Sequence, residues 1–131
     1  MANPEAALIA ALKTDAAVAA LVGGRVFIAG ARQGADYPYL TVQRISTEGA
    51  AYLDGAADLE WPRFQVDAWS GQALEALELM QAVRAAIDAI EITAAGLTFT
   101  ATFQDQRGPA PDEETRNFRV SHDYLIWHER S

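Results

Sequence analysis

The side chains able to do chemistry in this chain are few and poorly spaced for it. His122 and His128 are its two histidines. In an extended segment they share a face, but six residues separate them by about 20 Å, too far to hold one metal within a subunit. Ser121, His122 and Asp123 are adjacent, which resembles a relay in one dimension. Strand alternation turns His122 away from both neighbours. A nucleophilic role for Ser70 or Ser121 would need a base and an orienting group that no recognisable spacing identifies. Asp54, Asp58 and Glu60 could be calcium ligands by type, yet they lack the twelve-residue loop and its terminal bidentate glutamate. Cysteine is absent, which removes disulfides, thiolate metal sites and cysteine nucleophiles.

The remaining chemical candidate is the segment Gly23–Ser46, with its glycines and Arg25 and Arg32. A phosphate loop needs its glycine bend to lead into a helix and to be followed by Lys and Ser or Thr. Here the glycines follow a helical pattern, lead into strands and have no lysine after them. Gly23 and Gly24 therefore serve chain geometry, and Arg32 and Gln33 face either solvent or a partner from a loop. No residue is assigned a catalytic, cofactor-binding or metal-binding role, and the chain is expected not to be an enzyme.

The elements that would position these groups can be read from spacing. Asn3, Pro4 and Glu5 form a cap, first-turn proline and early acid for a helix through Leu8, Ile9 and Leu12. Thr14 and Asp15 interrupt or recap it before Val18, Leu21 and Val22, and Gly23 and Gly24 stop it. Arg25–Ile28 fits a short strand. In Tyr39–Ile45, Leu40 and Val42 share one face while Tyr39, Thr41, Gln43 and Ile45 share the other. In "RFQVDAW", Phe64, Val66 and Ala68 oppose Arg63, Gln65, Asp67 and Trp69. Such alternation predicts a sheet with one covered side and one that is wet or contacts a partner.

Ser70 can cap the next helix, whose apolar stripe reads Leu74, Leu77, Met80, Val83 and Ile87, with Glu75, Glu78, Gln81, Arg84 and Asp88 on the exposed side. "LTFTATF" predicts a strand with Leu97, Phe99, Ala101 and Phe103 on one face. Ser46–Pro62 reads as a long hairpin excursion or a mobile arm, and Gln104–Thr115 as an acidic, proline-containing loop. The last strand is Phe118–His128. Together these elements predict an α+β fold with helices packed on a mainly antiparallel sheet, in a single compact domain spanning 1–131 with long interface loops.

Composition narrows the function classes. The 131 residues are 50% hydrophobic, enough for one core without a run of membrane length. The amino end has no basic leader, and Glu5, Lys13 and Asp15 interrupt its apolar residues, so neither a signal peptide nor a spanning helix is expected. A net charge of -8 argues against a general nucleic-acid binder, which needs a basic footprint. Nine arginines stand against the single Lys13, a bias toward specific pairing at interfaces. Tyr37, Tyr39, Trp61, Trp69, Tyr124 and Trp127, near Arg44, Arg63 and Arg119, suit either packed protein contacts or the completion of a small core. Arg107 and Arg116 are candidates for ion pairs between subunits, which contribute only about 0–1 kcal/mol where exposed.

In order along the chain, "LVGGRVF", "YPYLTVQR", "RFQVDAWS", the helix "ALEALELMQAVRAAI" and the final strand ending in "WH" resemble the tail-completion or tail-terminator family of long-tailed bacteriophages and related gene-transfer particles. The resemblance covers nearly the whole chain. It implies an α+β subunit, made in the bacterial host cytoplasm, that assembles as a ring at the head-proximal end of the tail tube. The ring is usually sixfold, stops tube growth and joins the tail to the head. Implied partners are copies of itself, the major tail tube protein, a head connector or head-completion protein and the tape-measure protein. DNA would pass through the lumen without sequence-specific binding, and an acidic wall would keep it from sticking. The interface residues expected on this reading are Arg32, Leu53, Asp54, Trp61, Arg63, Trp69 and Arg116, with the Ser46–Pro62 and Gln104–Thr115 segments reaching neighbours. No cofactor is implied.

Overall fold

A computed structural model of the chain describes residues 4–30, 34–47, 49–50, 59–60, 62–88, 91–94, 97–111 and 117–129, with residues 49–50, 59–60, 91–94, 97–99 and 127–129 described by their backbone alone. Two helices open the chain, α1 (Pro4–Thr14) and α2 (Ala16–Val22). Asp15 separates them: its backbone is extended, and its carboxylate accepts from the Val18 N–H at 3.1 Å, satisfying one of the donors a helix start leaves unpaired. Gly23 ends α2 in the left-handed conformation, φ +57°, and its N–H donates to the Ala19 carbonyl.

The strands are β1 (Val26–Ile28), β2 (Tyr39–Ser46), β3 (Gly49–Ala50), β4 (Leu59–Glu60), β5 (Arg63–Ser70), β6 (Glu91–Ala94), β7 (Leu97–Pro111) and β8 (Phe118–Glu129), with helix α3 (Ala73–Asp88) between β5 and β6. They form one eight-stranded sheet, antiparallel except for β1 beside β2. Its main body runs β1-β2-β5-β8-β7-β6, and β3 pairs with β4, which continues along β8 past the end of β5. The fold is therefore α+β, with helices on a largely antiparallel sheet.

All three helices pack on one face. Leu40, Val42, Phe64, Val66, Ala68, Val120, Tyr124 and Ile126 from the sheet meet Leu8, Leu12, Val18, Val22, Leu79, Met80, Val83 and Ile87 from the helices in one core. The predicted stripe of α3 holds except at its start. Leu74 is 79% exposed, and Ala76, Leu79 and Ala86 complete the buried side instead. Ser70 acts just ahead of α3: its hydroxyl accepts from the Gln72 N–H at 3.1 Å and donates to Glu75, which ties that glutamate back to the helix start.

One sequence expectation is corrected. Gln104–Pro111 is strand rather than loop, because β7 continues alongside β8 as far as Phe118. The strand also slips by one residue between Phe103 and Asp105. This bulge at Gln104 reverses the alternation, so Ala101 and Phe103 face the helices before it, and Gln106 does so after it. Farther along, Gly108 takes φ +94°, and a side-chain carbon there would lie 2.5 Å from the Arg119 carbonyl oxygen. Only glycine fits that close approach. The pairing of β3 with β4 gives Ser46–Pro62 the character of a hairpin excursion, with residues 51–58 outside the described set.

Candidate assembly surface

Among the described residues no helix packs on the second face of the sheet, yet several of its polar residues are buried. Register places them in rows. Tyr39, Trp69 and Arg119 lie side by side, then Thr41, Asp67, Ser121 and Arg107, then Gln43, Gln65, Asp123 and Asp105. Thr41, Asp67, Ser121 and Asp123 are each under a tenth exposed, so the longer side chains around them provide the cover that helices give the other face.

The first row is aromatic. Tyr39 stacks on Trp69 with centroids 6.0 Å apart, and Tyr37 and Phe27 flank Tyr39 at 5.1 and 5.9 Å. The Arg119 guanidinium sits 5.5 Å above the Trp69 ring, and the Trp69 indole N–H donates to Thr41 Oγ1 at 3.0 Å. The polar tip of the tryptophan is thereby satisfied inside the face, and its ring orientation is fixed.

Lower on the face, Asp123 is the centre of an ion cluster. Arg107 donates to both of its carboxylate oxygens at 2.9 Å, in the bidentate geometry that suits a guanidinium. Arg63 donates to Oδ2 from Nε and a terminal nitrogen, at 3.2 and 3.0 Å. Arg107 also reaches Asp105 and Gln65, and Gln65 donates to the buried Asp67. Burial alone would raise the Asp123 pKa, but the bonds from Arg107 and then Arg63 outweigh it and hold the carboxyl below its ordinary value. Arg107 is correspondingly raised, chiefly by its bond to Asp123.

His122 points the other way, as alternation requires. Its ring lies between Tyr124, whose hydroxyl is 2.8 Å from Nδ1, and Gln106, whose Oε1 is 2.6 Å from Nε2. With Gln106 accepting, Nε2 carries the hydrogen and Nδ1 accepts from the tyrosine. Phe103 meets the imidazole edge-on at 5.0 Å, and Arg84 covers Phe103 at 3.9 Å. Burial, with the Arg84 charge as a second cause, pushes the His122 pKa down to about 4, against a weaker opposing effect of Asp123. Burial also raises the Tyr124 phenol, with Asp88 adding to it and Arg84 opposing. The group is a satisfied packing cluster with a neutral imidazole.

Of the residues singled out in the sequence, Arg63 and Trp69 share the helix-free face of β5, at opposite ends of it. Arg32, Leu53, Asp54, Trp61 and Arg116 lie outside the described residues, as does Asp58, while Glu60 and His128 are described by backbone alone. Asp123, Arg107 and Gln65 make up the face's main polar network without having been singled out together. Their shared face was hidden because Arg107 joins it through the bulge at Gln104, which alternation alone does not reveal. Among the described residues no cluster of His, Asp and Glu is arranged to hold a metal.

A sheet with helices on one side and an internally bonded polar and aromatic face on the other is a packing module, and among the described residues no nucleophile is aligned on a base. The family model described as "Tail completion protein gp17" matches residues 6–129, and the chain belongs to that family. It is thus a tail-associated structural protein of the tail-completion family, located at the head–tail junction, and the family is not catalytic. A chain in the structure titled "Virion of native gene transfer agent (GTA) particle" shares the fold, with a TM-score of 0.72 and 20% identity over 96% of this chain and 94% of that one. No curated protein matches the chain.

Proposed function

We propose that this chain closes the head-proximal end of the tail tube as a ring, ends tube polymerisation and presents the surface to which the head docks. The observation that carries the reading is the family match across residues 6–129, on a fold shared with a chain of a gene-transfer virion. The rigid helix-free face supports it, because groups already locked by Asp123 and Thr41 lose little freedom when a partner packs against them. Partners on this reading are further copies of the chain, six per ring by family resemblance, the tube protein, the head connector or completion protein and the tape-measure protein. Among the residues of this face whose side chains are described, Arg63, Arg107 and Arg119 balance Asp67, Asp105 and Asp123, while the whole chain carries an acidic excess. That excess suits a DNA passage that repels phosphate.

The test is a joining assay. Tails made without the chain are imaged by electron microscopy before and after the purified protein is added, scoring tube length, an end ring and attachment to DNA-filled heads. Restored rings and joined particles are expected. Tubes that stay overlong and unjoined in the presence of folded protein would instead indicate another component of the joint.

A further inference from the structure

The sheet has two open stretches at its opposite edges, and they lie at the same level. On one side is β1, which pairs with β2 and with no other strand among the described residues. On the other is β7, whose Leu97–Thr100 end pairs with β6 while Ala101–Pro111 has no outer neighbour among the described strands. Following the register across the sheet, Ile28 aligns with Val42, Val66, His122 and Gln106, and Phe27 aligns with Thr41, Asp67, Ser121 and Arg107. The open stretch of β7 therefore faces outward at the height where β1 faces outward on the far side.

Strand directions are compatible as well. β7, β8, β5 and β2 alternate, and β1 runs parallel to β2. Two copies placed side by side in the same orientation would thus bring β1 of one antiparallel to β7 of the next. From these matched levels and directions we infer that the ring, if the chain forms one as proposed above, is closed by a β1-to-β7 strand junction between successive copies of this chain. Joining two different edges is a head-to-tail contact, which generates either a ring or a filament. The absence of a step along the strands favours the ring.

Local chemistry fits the junction. The Leu40 N–H donates to the Arg25 carbonyl and the Ala29 N–H to the Val42 carbonyl, so alternation turns the Val26 carbonyl and the Ile28 N–H outward. Ile28 is 56% exposed. Ala29 follows in the left-handed region at φ +64°, with the Gly30 N–H returned to the Ile28 carbonyl, which ends β1 sharply. The β7 edge is held without an outer partner by Phe103 under Arg84, Gln106 on His122 and Arg107 on Asp123. Asp105, Arg107, Pro109 and Pro111 guard it against indiscriminate pairing. Level pairing sets Phe27 of one copy beside Arg107 of the next, a cation next to an aromatic ring.

The absence of cysteine allows a direct test. Neighbouring antiparallel strands bring Cα atoms to about 4.5–5.5 Å, within disulfide range. The Ile28→Cys/Gln106→Cys double variant is added to terminator-deficient tails, oxidised and run on a non-reducing gel, with each single variant as control. The expected result is a ladder of covalent multimers of this chain for the double variant and its loss in both singles. Ile28→Pro, which removes an outward N–H together with an exposed side chain, should keep the monomer's circular dichroism and melting temperature while losing end rings. End rings with no ladder would overturn the junction and leave the terminator reading intact. A ladder without end rings would overturn the terminator reading and leave the junction. A cross-link to a different tail protein, or neither rings nor ladder, would overturn the junction.

Discussion

The two faces of β8 are both buried, by different means. Val120, Tyr124 and Ile126 lie under helices in the apolar core, whereas Ser121 and Asp123 on the other side are covered by arginines, glutamine and tryptophan projecting from neighbouring strands. The first face depends on volume and the second on pairing. Close packing makes a lost methylene costly on the first face, while on the second the largest loss comes from stranding a buried charge or donor. Substitutions should separate the faces by both size and pH dependence.

The largest effect is expected on the helix side. Phe64 is fully buried, and Phe64→Ala should cost about 3–5 kcal/mol in urea unfolding, through lost transfer energy and the cavity left behind. A much smaller loss would mean that the helices collapse into the space and that the core is less tightly specified than its burial indicates.

Second in size is Asp123, whose side chain is 5% exposed between two guanidiniums that are 34% and 47% exposed. Asp123→Asn keeps the shape but removes the charge, and should cost about 2–3 kcal/mol, less than breaking a fully buried pair because both arginines can turn to water. The sign with pH follows from the depressed carboxyl. Its contribution is complete above the unfolded value of about 3.9 and is lost as pH falls below that toward the lower folded value. Unfolding titrations should show this acid-side loss in the parent and not in Asp123→Asn.

His122 gives the contrasting pH signature from the other face. Its folded pKa of about 4 lies below the unfolded value of about 6.5, so the unfolded chain binds the proton first. Stability should be full above about 6.5, fall as pH drops from there to about 4, and flatten below, by on the order of 3 kcal/mol. His122→Gln should remove that slope while leaving the Asp123 loss at lower pH. If the slope persisted in the variant, another group would be responsible for it.

Much of this contrast was legible in the sequence. Alternation in "RFQVDAW" and "YLTVQR" separated Phe64, Val66, Leu40 and Val42 from Arg63, Gln65, Asp67 and Trp69, and it turned His122 away from Asp123. Two physical reasons hid the rest. Gly108 and Pro109 carry turn chemistry, yet here the glycine serves a close approach to the Arg119 carbonyl within a continuing strand, so long-range pairing overrides the local signal. The bulge at Gln104 depends on the β8 register, and without it Arg107 would be assigned to the helix side. The exposure of Leu74 at the first turn of α3 has no signal in its helical spacing.

The smallest expected effect is the most diagnostic of the helix-free face. Arg119 is exposed and lies over Trp69, where a cation–aromatic contact contributes about 0.5–1 kcal/mol. In the free chain, Arg119→Ala should therefore lower stability by no more than about that amount, since Trp69 keeps its bond to Thr41 and its stack on Tyr39. If this face packs against a partner in the tail, the same substitution should reduce head joining far more than it reduces stability, because an arginine over a tryptophan is the type of contact that dominates interfaces. Urea unfolding measured alongside the joining assay separates the two. Equal, small effects in both would mean that the face is finished within the chain, its aromatic row serving only to cover Thr41 and Asp67, and that the contacts to head and tube are made elsewhere.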